Sequence, residues 1–304
     1  MSANEGSAPI IRAGVIGLGI MGGAFAKHLA AAGIRTVGFD LIPASMDALM
    51  ANGGHACSSA RAVAAEADIV ITSLPSSAAL EQALFGEDGI VAAKRTGLLV
   101  VETSTLALQD KERVRARLAS AGIAMLDAPI SGTGPQAITK DIAIFASGDR
   151  DDFERVRPTL AHLARSVRYV GSFGAGSKLK YIANLLVAIH IVGAAEAIVL
   201  GEKAGLDPSM LVEVLADSAA TSRMLEVRGP SMATGAYATP MMKVDVFQKD
   251  LEIIANFAKQ AQCPVPLFSA SVPLFTAVAA QGMGLQDTAA VVSVLRFLAG
   301  MEAK

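Results

Sequence analysis

A lysine and an asparagine four residues apart, Lys180 and Asn184, fall on one face of a helix if the run from about Gly176 to Lys203 is helical. An amine whose pKa is lowered by partial burial can take a proton from an alcohol, and an amide beside it can orient the hydroxyl. A surface lysine at a helix start is the plain alternative, and Lys178 reads as that kind of residue. Other acid–base candidates are poorer. His28, His55, His162 and His190 are scattered and read as structural. Cys57 and Cys263 lie far apart and match no metal-ligand spacing, so no metal site is expected.

A second constellation would hold a dinucleotide. Gly17-Leu18-Gly19-Ile20-Met21-Gly22 is a GxGxxG run that follows one apolar stretch and opens a helical pattern, and Asp40 ends the next apolar stretch at the spacing of a ribose-binding acid. Gly17 permits the tight turn, Gly19 lets the backbone approach a pyrophosphate, and Gly22 lets the helix pack closely. Free N–H groups at the helix start face the phosphate charge. The Asp40 carboxylate repels a 2′-phosphate, and Leu41-Ile42-Pro43 supplies no arginine, so NAD is expected rather than NADP.

Two more segments could line the site. Leu74-Pro75 and Thr103-Ser104-Thr105 each follow an apolar stretch, where the crevice of an open parallel sheet lies. In the loop Asp127 to Gly134, Ser131 and the N–H groups of Gly132 and Thr133 would make an anion pocket for a substrate carboxylate.

The elements that must position these residues alternate in the first half. Strands are expected at 12–17, at Thr36 to Asp40, at Ala67 to Leu74, at Leu98 to Glu102 and at Ile123 to Asp127, with helical sequence between them, the first from Met21 to Ala32. Near-continuous apolar strands imply a parallel sheet covered on both faces. The fold class is therefore α/β: a doubly wound Rossmann-type domain over 12–173, followed by an all-helical domain over 174–304 for substrate and subunit contacts, with 1–11 as a flexible extension. In the second half Gly205 stops the long helix and Asp207-Pro208 opens another; further helices are expected at Met210 to Ser218, Val244 to Gln260, Phe268 to Gln281 and Gln286 to Ala299.

Composition bounds the partners. With 304 residues, 52% apolar and 18% charged, the chain can fill two cores and a subunit interface, so a homodimer or homotetramer is expected. The net charge of -2 and the absence of a basic run argue against nucleic acid. Tyr181 to Leu200 is long enough to span a bilayer, but Asn184, His190 and Glu196 interrupt it, so a buried helix is expected and no membrane partner. MSANEGSAPII lacks the pattern of a secretory leader, and a cytoplasmic protein is expected.

Three motifs together, GLGIMG at 17–22, DAPISGT from Asp127 and GAGSKLKYIAN at 174–184, resemble those of the β-hydroxyacid dehydrogenase family, which includes 3-hydroxyisobutyrate dehydrogenase-type and tartronate semialdehyde reductase-type enzymes. The resemblance spans almost the whole chain. It implies that Lys180 is catalytic with Asn184 as its partner, that Ser131, Gly132 and Thr133 hold the substrate carboxylate, and that Thr105 contacts the cofactor. It also implies that Lys249, in VDVFQKDL, reaches towards the cofactor; the residues alone make Lys249 solvent-facing. One departure stands out. The family's substrate motif ends in two glycines, whereas Thr133 takes the second place here and points to a substrate other than hydroxyisobutyrate itself.

The expected reaction is NAD-dependent oxidation of a small 3-hydroxy acid to the oxo acid. VDVFQKDL, PVPLFSAS and GMGLQDTAAV are similar to the L-threonate dehydrogenase branch, which makes a 2-hydroxy sugar acid the alternative substrate. Imine-reducing relatives usually lack the lysine at position 180. A non-catalytic NAD-binding sensor is the remaining alternative, and it would be indifferent to loss of Lys180.

Overall fold

The computed structural model describes residues 12–301; the expected extension at 1–11 lies outside them. The chain divides after Lys180 into two compact units.

In the first unit, β1 (Ala13–Ile16), α1 (Ile20–Ala31), β2 (Thr36–Phe39), α2 (Pro43–Ala51), β3 (His55–Ala56), α3 (Ala60–Glu66), β4 (Ile69–Thr72), α4 (Ser77–Phe85), β5 (Leu99–Glu102), α5 (Leu108–Ser120) and β6 (Ala124–Asp127) alternate, and all but the two-residue β3 answer to an expected strand or helical stretch. The six strands form one sheet in the order β3-β2-β1-β4-β5-β6, every pair parallel. This is the doubly wound Rossmann order, whose strand sequence reverses beside β1 and opens a ligand crevice at the C-terminal strand ends.

Both faces of the sheet are covered. Val15, Ile71 and Val101 lie in register and join one apolar cluster, while their neighbours Ile16, Val70 and Val100 join the other. That is why these strands read as unbroken apolar runs rather than alternating ones.

A further layer was not foreseen. β7 (Ile130–Ser131), α6 (Gly134–Ile138), β8 (Ala143–Ala146), α7 (Arg150–Leu160) and β9 (Ser166–Tyr169) build a small sheet ordered β7-β8-β9, antiparallel then parallel. It grows from the end of β6, where Asp127 and Ser147 exchange both backbone hydrogen bonds at 2.9 and 2.7 Å. Pro129 has no N–H to continue a ladder, so the chain leaves β6 and starts β7 one residue later. Strands this short and half-exposed carry little periodic signal.

Helix α8 (Ala175–Lys203) runs 29 residues across the division. Among the described residues it is long and apolar enough to cross a membrane by length and composition, with 44% of its most apolar window buried in the protein. The sequence places the domain boundary just before this helix. The contacts divide after Lys180 because Gly176 and Ser177 are bonded to the first unit's sheet.

The second unit continues with α9 (Pro208–Ala216), α10 (Arg223–Thr234), α11 (Val244–Gln260), α12 (Pro266–Val278) and α13 (Val291–Leu298). Helix α10 escapes the sequence reading because Gly229 and Pro230 sit inside it. Two buried ion pairs tie the helices: Arg296 grips Glu202 at 2.7 and 2.9 Å, and Arg228 meets Asp287 at 3.2 Å. Asp287 also accepts the N–H groups of Met241 and Met242, so one carboxylate fixes the chain entering α11.

Candidate active site

The glycine turn between β1 and α1 shows three different needs. Gly17 has φ +85°, and a Cβ there would lie 2.2 Å from the Ser73 carbonyl oxygen. A Cβ on Gly22 would lie 1.8 Å from the Gly17 carbonyl oxygen, so only glycine lets the helix start this close to the turn. Around Gly19 the opposite holds, with nothing within 4 Å of the added carbon. No side chain caps α1. Its first-turn N–H groups and the open space at Gly19 together suit an anionic group brought close to the backbone.

Asp40 stands at the end of β2 beside this turn. Its Oδ2 accepts the Leu18 N–H at 2.6 Å and its Oδ1 accepts the Ile42 N–H at 2.8 Å. The carboxylate is thus held in one orientation next to the dinucleotide cradle. These residues fit NAD: glycine backbone and helix N-terminus for the pyrophosphate, Asp40 for ribose hydroxyls.

The ends of β4, β5 and β6 are joined by a polar cluster that sequence reading missed. The Ser104 hydroxyl accepts the Leu74 N–H at 2.8 Å, linking the two loops on which Pro75 and Thr105 also lie. Glu102, fully buried, accepts the Ser104 N–H at 2.7 Å and the Thr72 hydroxyl. Lys111, also fully buried, reaches the Ser104 carbonyl at 2.6 Å, Asp127 at 2.9 Å and Glu102 at 3.7 Å. Burial raises the Glu102 pKa above the ordinary value, against the opposing pull of Lys111 and of the Thr72 and Ser104 donors. A trace of this cluster was readable. Lys111 occupies the apolar stripe of α5 with Val114 and Leu118, three and seven residues on, where a lysine is out of place unless paired.

Asp127 passes the link to α8. Its Oδ2 accepts the Ser177 N–H and its Oδ1 the Ser177 hydroxyl, both at 2.8 Å, while the Ser147 hydroxyl accepts the Gly176 N–H at 3.0 Å. A carboxylate from the sheet thereby serves as the cap of the helix and complements its N-terminal dipole. A Cβ on Gly176 would lie 2.2 Å from the Phe145 carbonyl oxygen, so that glycine is what lets α8 dock here. The GAGSKLK motif is a docking device ending in Lys180, one turn beyond Ser177.

Lys180 and Asn184 are both buried and stand on successive turns of α8. Asn184 donates through Nδ2 to Asp250 Oδ2 at 2.9 Å. Lys249, on α11, lies 3.3 Å from the carboxylate of its neighbour Asp250 and is only partly exposed, so it is not the solvent-facing residue that its local sequence suggests. Asp250, another residue that sequence reading missed, had no signal beyond its place in the VDVFQKDL motif.

The expected anion pocket is rearranged by its own side chains. Thr133 donates both its N–H, at 3.0 Å, and its hydroxyl, at 3.1 Å, to Gln136 Oε1, which reaches back over the first turn of α6. Both Thr133 donors are thus engaged with Gln136. Gly132 has φ +146° and its missing Cβ faces Ile142; the missing Cβ of Gly134 faces Ile20, which brings this loop against the glycine turn.

Of the histidines, His28 bonds through Nε2 to the Ala137 carbonyl at 2.8 Å and ties α1 to α6. His55, Cys57 and Glu66 place one ligand atom each within 4.8 Å of one another at the β3 edge, a grouping that sequence spacing did not reveal. Glu66 there is ion-paired with Arg35 at 2.9 Å.

Known proteins resemble this chain over nearly its whole length. Residues 12–171 match the NAD binding domain of 6-phosphogluconate dehydrogenase, and residues 174–295 match the NAD-binding domain of NADP-dependent 3-hydroxyisobutyrate dehydrogenase. The chain is 36% identical to L-threonate dehydrogenase of Cupriavidus necator, over 92% of this chain and 95% of that protein. It is 35% identical to L-threonate dehydrogenase of Haemophilus influenzae, over 92% and 93%. Among solved structures, 3-hydroxyisobutyrate dehydrogenase from Salmonella typhimurium superposes with a TM-score of 0.85 at 35% identity, covering 93% of this chain and 99% of that one.

Proposed function

The chain belongs to the 3-hydroxyisobutyrate and L-threonate dehydrogenase-like superfamily of NAD(P)-binding Rossmann-type oxidoreductases, and we propose that it oxidises a 2-hydroxy sugar acid of the L-threonate kind. It is an NAD-dependent enzyme acting on a small hydroxy acid. The observation that carries the finer reading is the near-complete match to two L-threonate dehydrogenases. It favours the 2-hydroxy acid over the 3-hydroxyisobutyrate-like substrate that the motifs first suggested. The 3-hydroxy acid is the second reading, kept because the superposed Salmonella protein is described as a 3-hydroxyisobutyrate dehydrogenase.

The residues divide the work as follows. Gly17 to Gly22 and Asp40 hold the dinucleotide, with Leu74, Pro75 and Thr105 beside it; the family resemblance alone assigns Lys249 to the cofactor. Bound NAD supplies the hydride acceptor. Asp40 favours NAD over NADP, since its fixed carboxylate accepts ribose hydroxyls and repels a 2′-phosphate. Ser131 and the Gly132 backbone hold the substrate carboxylate. Neutral Lys180 takes the hydroxyl proton as the carbon–hydrogen bond breaks, and in reverse returns it to the carbonyl oxygen. Asn184, anchored by its bond to Asp250, orients the substrate hydroxyl for that exchange. Ile182 and Leu186, exposed on α8, suit a homodimer or homotetramer.

The test is NADH formation by the purified protein with L-threonate, other 2-hydroxy acids and 3-hydroxyisobutyrate, NAD and NADP compared. The highest kcat/KM with L-threonate or another 2-hydroxy sugar acid supports the reading; a clear preference for a 3-hydroxy acid replaces it with the second.

A further inference from the structure

Lys111 lies on α5, outside every motif the reaction draws on, yet it is fully buried and its ammonium meets three acceptors at the C-terminal ends of the central strands. A long charged side chain is buried so completely only when its partners are worth the desolvation. Here the partners are the Ser104 carbonyl, Glu102 and Asp127, and Asp127 in turn receives both the backbone and the hydroxyl of Ser177.

We infer that Lys111 is a positioning residue for the reaction. Its ammonium neutralises and aims the Asp127 carboxylate that grips Ser177, and the grip on Ser177 sets where Lys180, three residues further along α8, stands. Without Lys111, Asp127 would be a buried charge facing only neutral donors, and it would turn towards water or take up a proton; either change weakens its hold on the two Ser177 donors. Gly176, locked against the Phe145 carbonyl oxygen, limits how far the helix start can drift, so the expected fault is a small displacement of Lys180 and not an unfolded helix. A displacement of about an ångström is enough to cost up to roughly a hundredfold in rate when a proton must be transferred in one geometry.

This inference rests on the reading of Lys180 as the acid–base residue, and its test separates the two. Lys111→Met keeps most of the side chain's length and removes the charge; Ser177→Ala removes the hydroxyl, one of the two donors by which Asp127 holds the helix start, and leaves the buried pair and the backbone N–H bond intact. For both, the thermal midpoint, the NADH dissociation constant, the kcat with L-threonate, and the rate at which an amine-directed label modifies Lys180 and Lys178, resolved by mass spectrometry, are measured.

The expected result for Ser177→Ala is a kcat lower by about tenfold or more, an NADH affinity within about threefold of the wild type, and faster labelling of Lys180 with Lys178 unchanged. Lys111→Met shows the same pattern more strongly, with a lowered midpoint. In a Lys180→Ala background, Ser177→Ala produces no further loss of rate, because both act through one group. A lowered midpoint with kcat and Lys180 labelling at wild-type levels in Ser177→Ala overturns the inference and leaves Lys111 a purely structural ion pair. Full turnover by Lys180→Ala instead overturns the acid–base reading, while the labelling comparison still decides whether Ser177 and Lys111 place that lysine.

Discussion

Asn184 donates one amide N–H to the Asp250 carboxylate at 2.9 Å, which anchors the amide without consuming its second N–H or its oxygen. In the proposed reaction the anchored amide orients the substrate hydroxyl beside Lys180. Asp250→Leu frees the amide to rotate. A charge-assisted hydrogen bond of this sort contributes about 1.5–3 kcal/mol, so kcat should fall about ten- to a hundredfold, while NADH binding, measured by fluorescence, holds. Asp250→Asn restores part of the rate if its own amide oxygen takes up the Asn184 donor.

Gly19 and Gly22 make opposite demands although they belong to one motif. Gly19→Ala meets nothing within 4 Å and should leave the thermal midpoint at its wild-type value, yet its methyl group occupies the space a pyrophosphate needs, weakening NADH binding by about tenfold or more. Gly22→Ala drives a carbon against the Gly17 carbonyl oxygen and should lower the midpoint itself, by several degrees for a loss of about 1–3 kcal/mol. Thermal denaturation and NADH titration of the two variants separate the roles.

The NAD preference can be checked at Asp40. Removing its charge in Asp40→Ser takes away the acceptor for the ribose hydroxyls and the repulsion of a 2′-phosphate together. The ratio of kcat/KM for NAD over that for NADP should fall by about tenfold or more, mostly through KM for NAD. An unchanged ratio would mean that the cofactor is discriminated elsewhere.

Glu102 predicts a pH effect on stability. Burial raises its pKa in the folded protein, so folding favours the protonated acid. The sign follows by linkage: its contribution is fully present below the ordinary carboxylate value of 4.5 and is lost as pH rises through the folded value. Glu102→Gln, which cannot ionise, should flatten the fall of the thermal midpoint over that range relative to the wild type. The same slope in both proteins would show that another group is responsible.

The central sheet was legible because parallel strands buried on both faces must be apolar throughout, and five of its six strands, from Ala13–Ile16 to Ala124–Asp127, stand where the apolar runs lie. The two-residue β3 has no such run. The small sheet from Ile130 to Tyr169 and the helix around Gly229-Pro230 were hidden, since their stability comes from tertiary bonds such as Asp127 to Ser147 and not from local propensity. The candidate site residues could be named from motifs, but the buried bonds around them could not. Lys111, Asp127 and Ser177 are 66 positions apart end to end, and only the folded chain brings them within hydrogen-bonding distance. Thr133 shows the converse: its type suggested a substrate contact, and its donors turn out to belong to Gln136.

The most direct test of the account is the single-turnover rate of NADH formation by Lys180→Ala beside the wild type, with L-threonate and NAD at saturation and NADH affinity measured on the same samples. The expected rate is lower by about a hundredfold or more, as for loss of a general acid–base group, with NADH affinity within about threefold. A rate near wild type in a protein that still binds NADH would contradict it and place the proton transfer on another group.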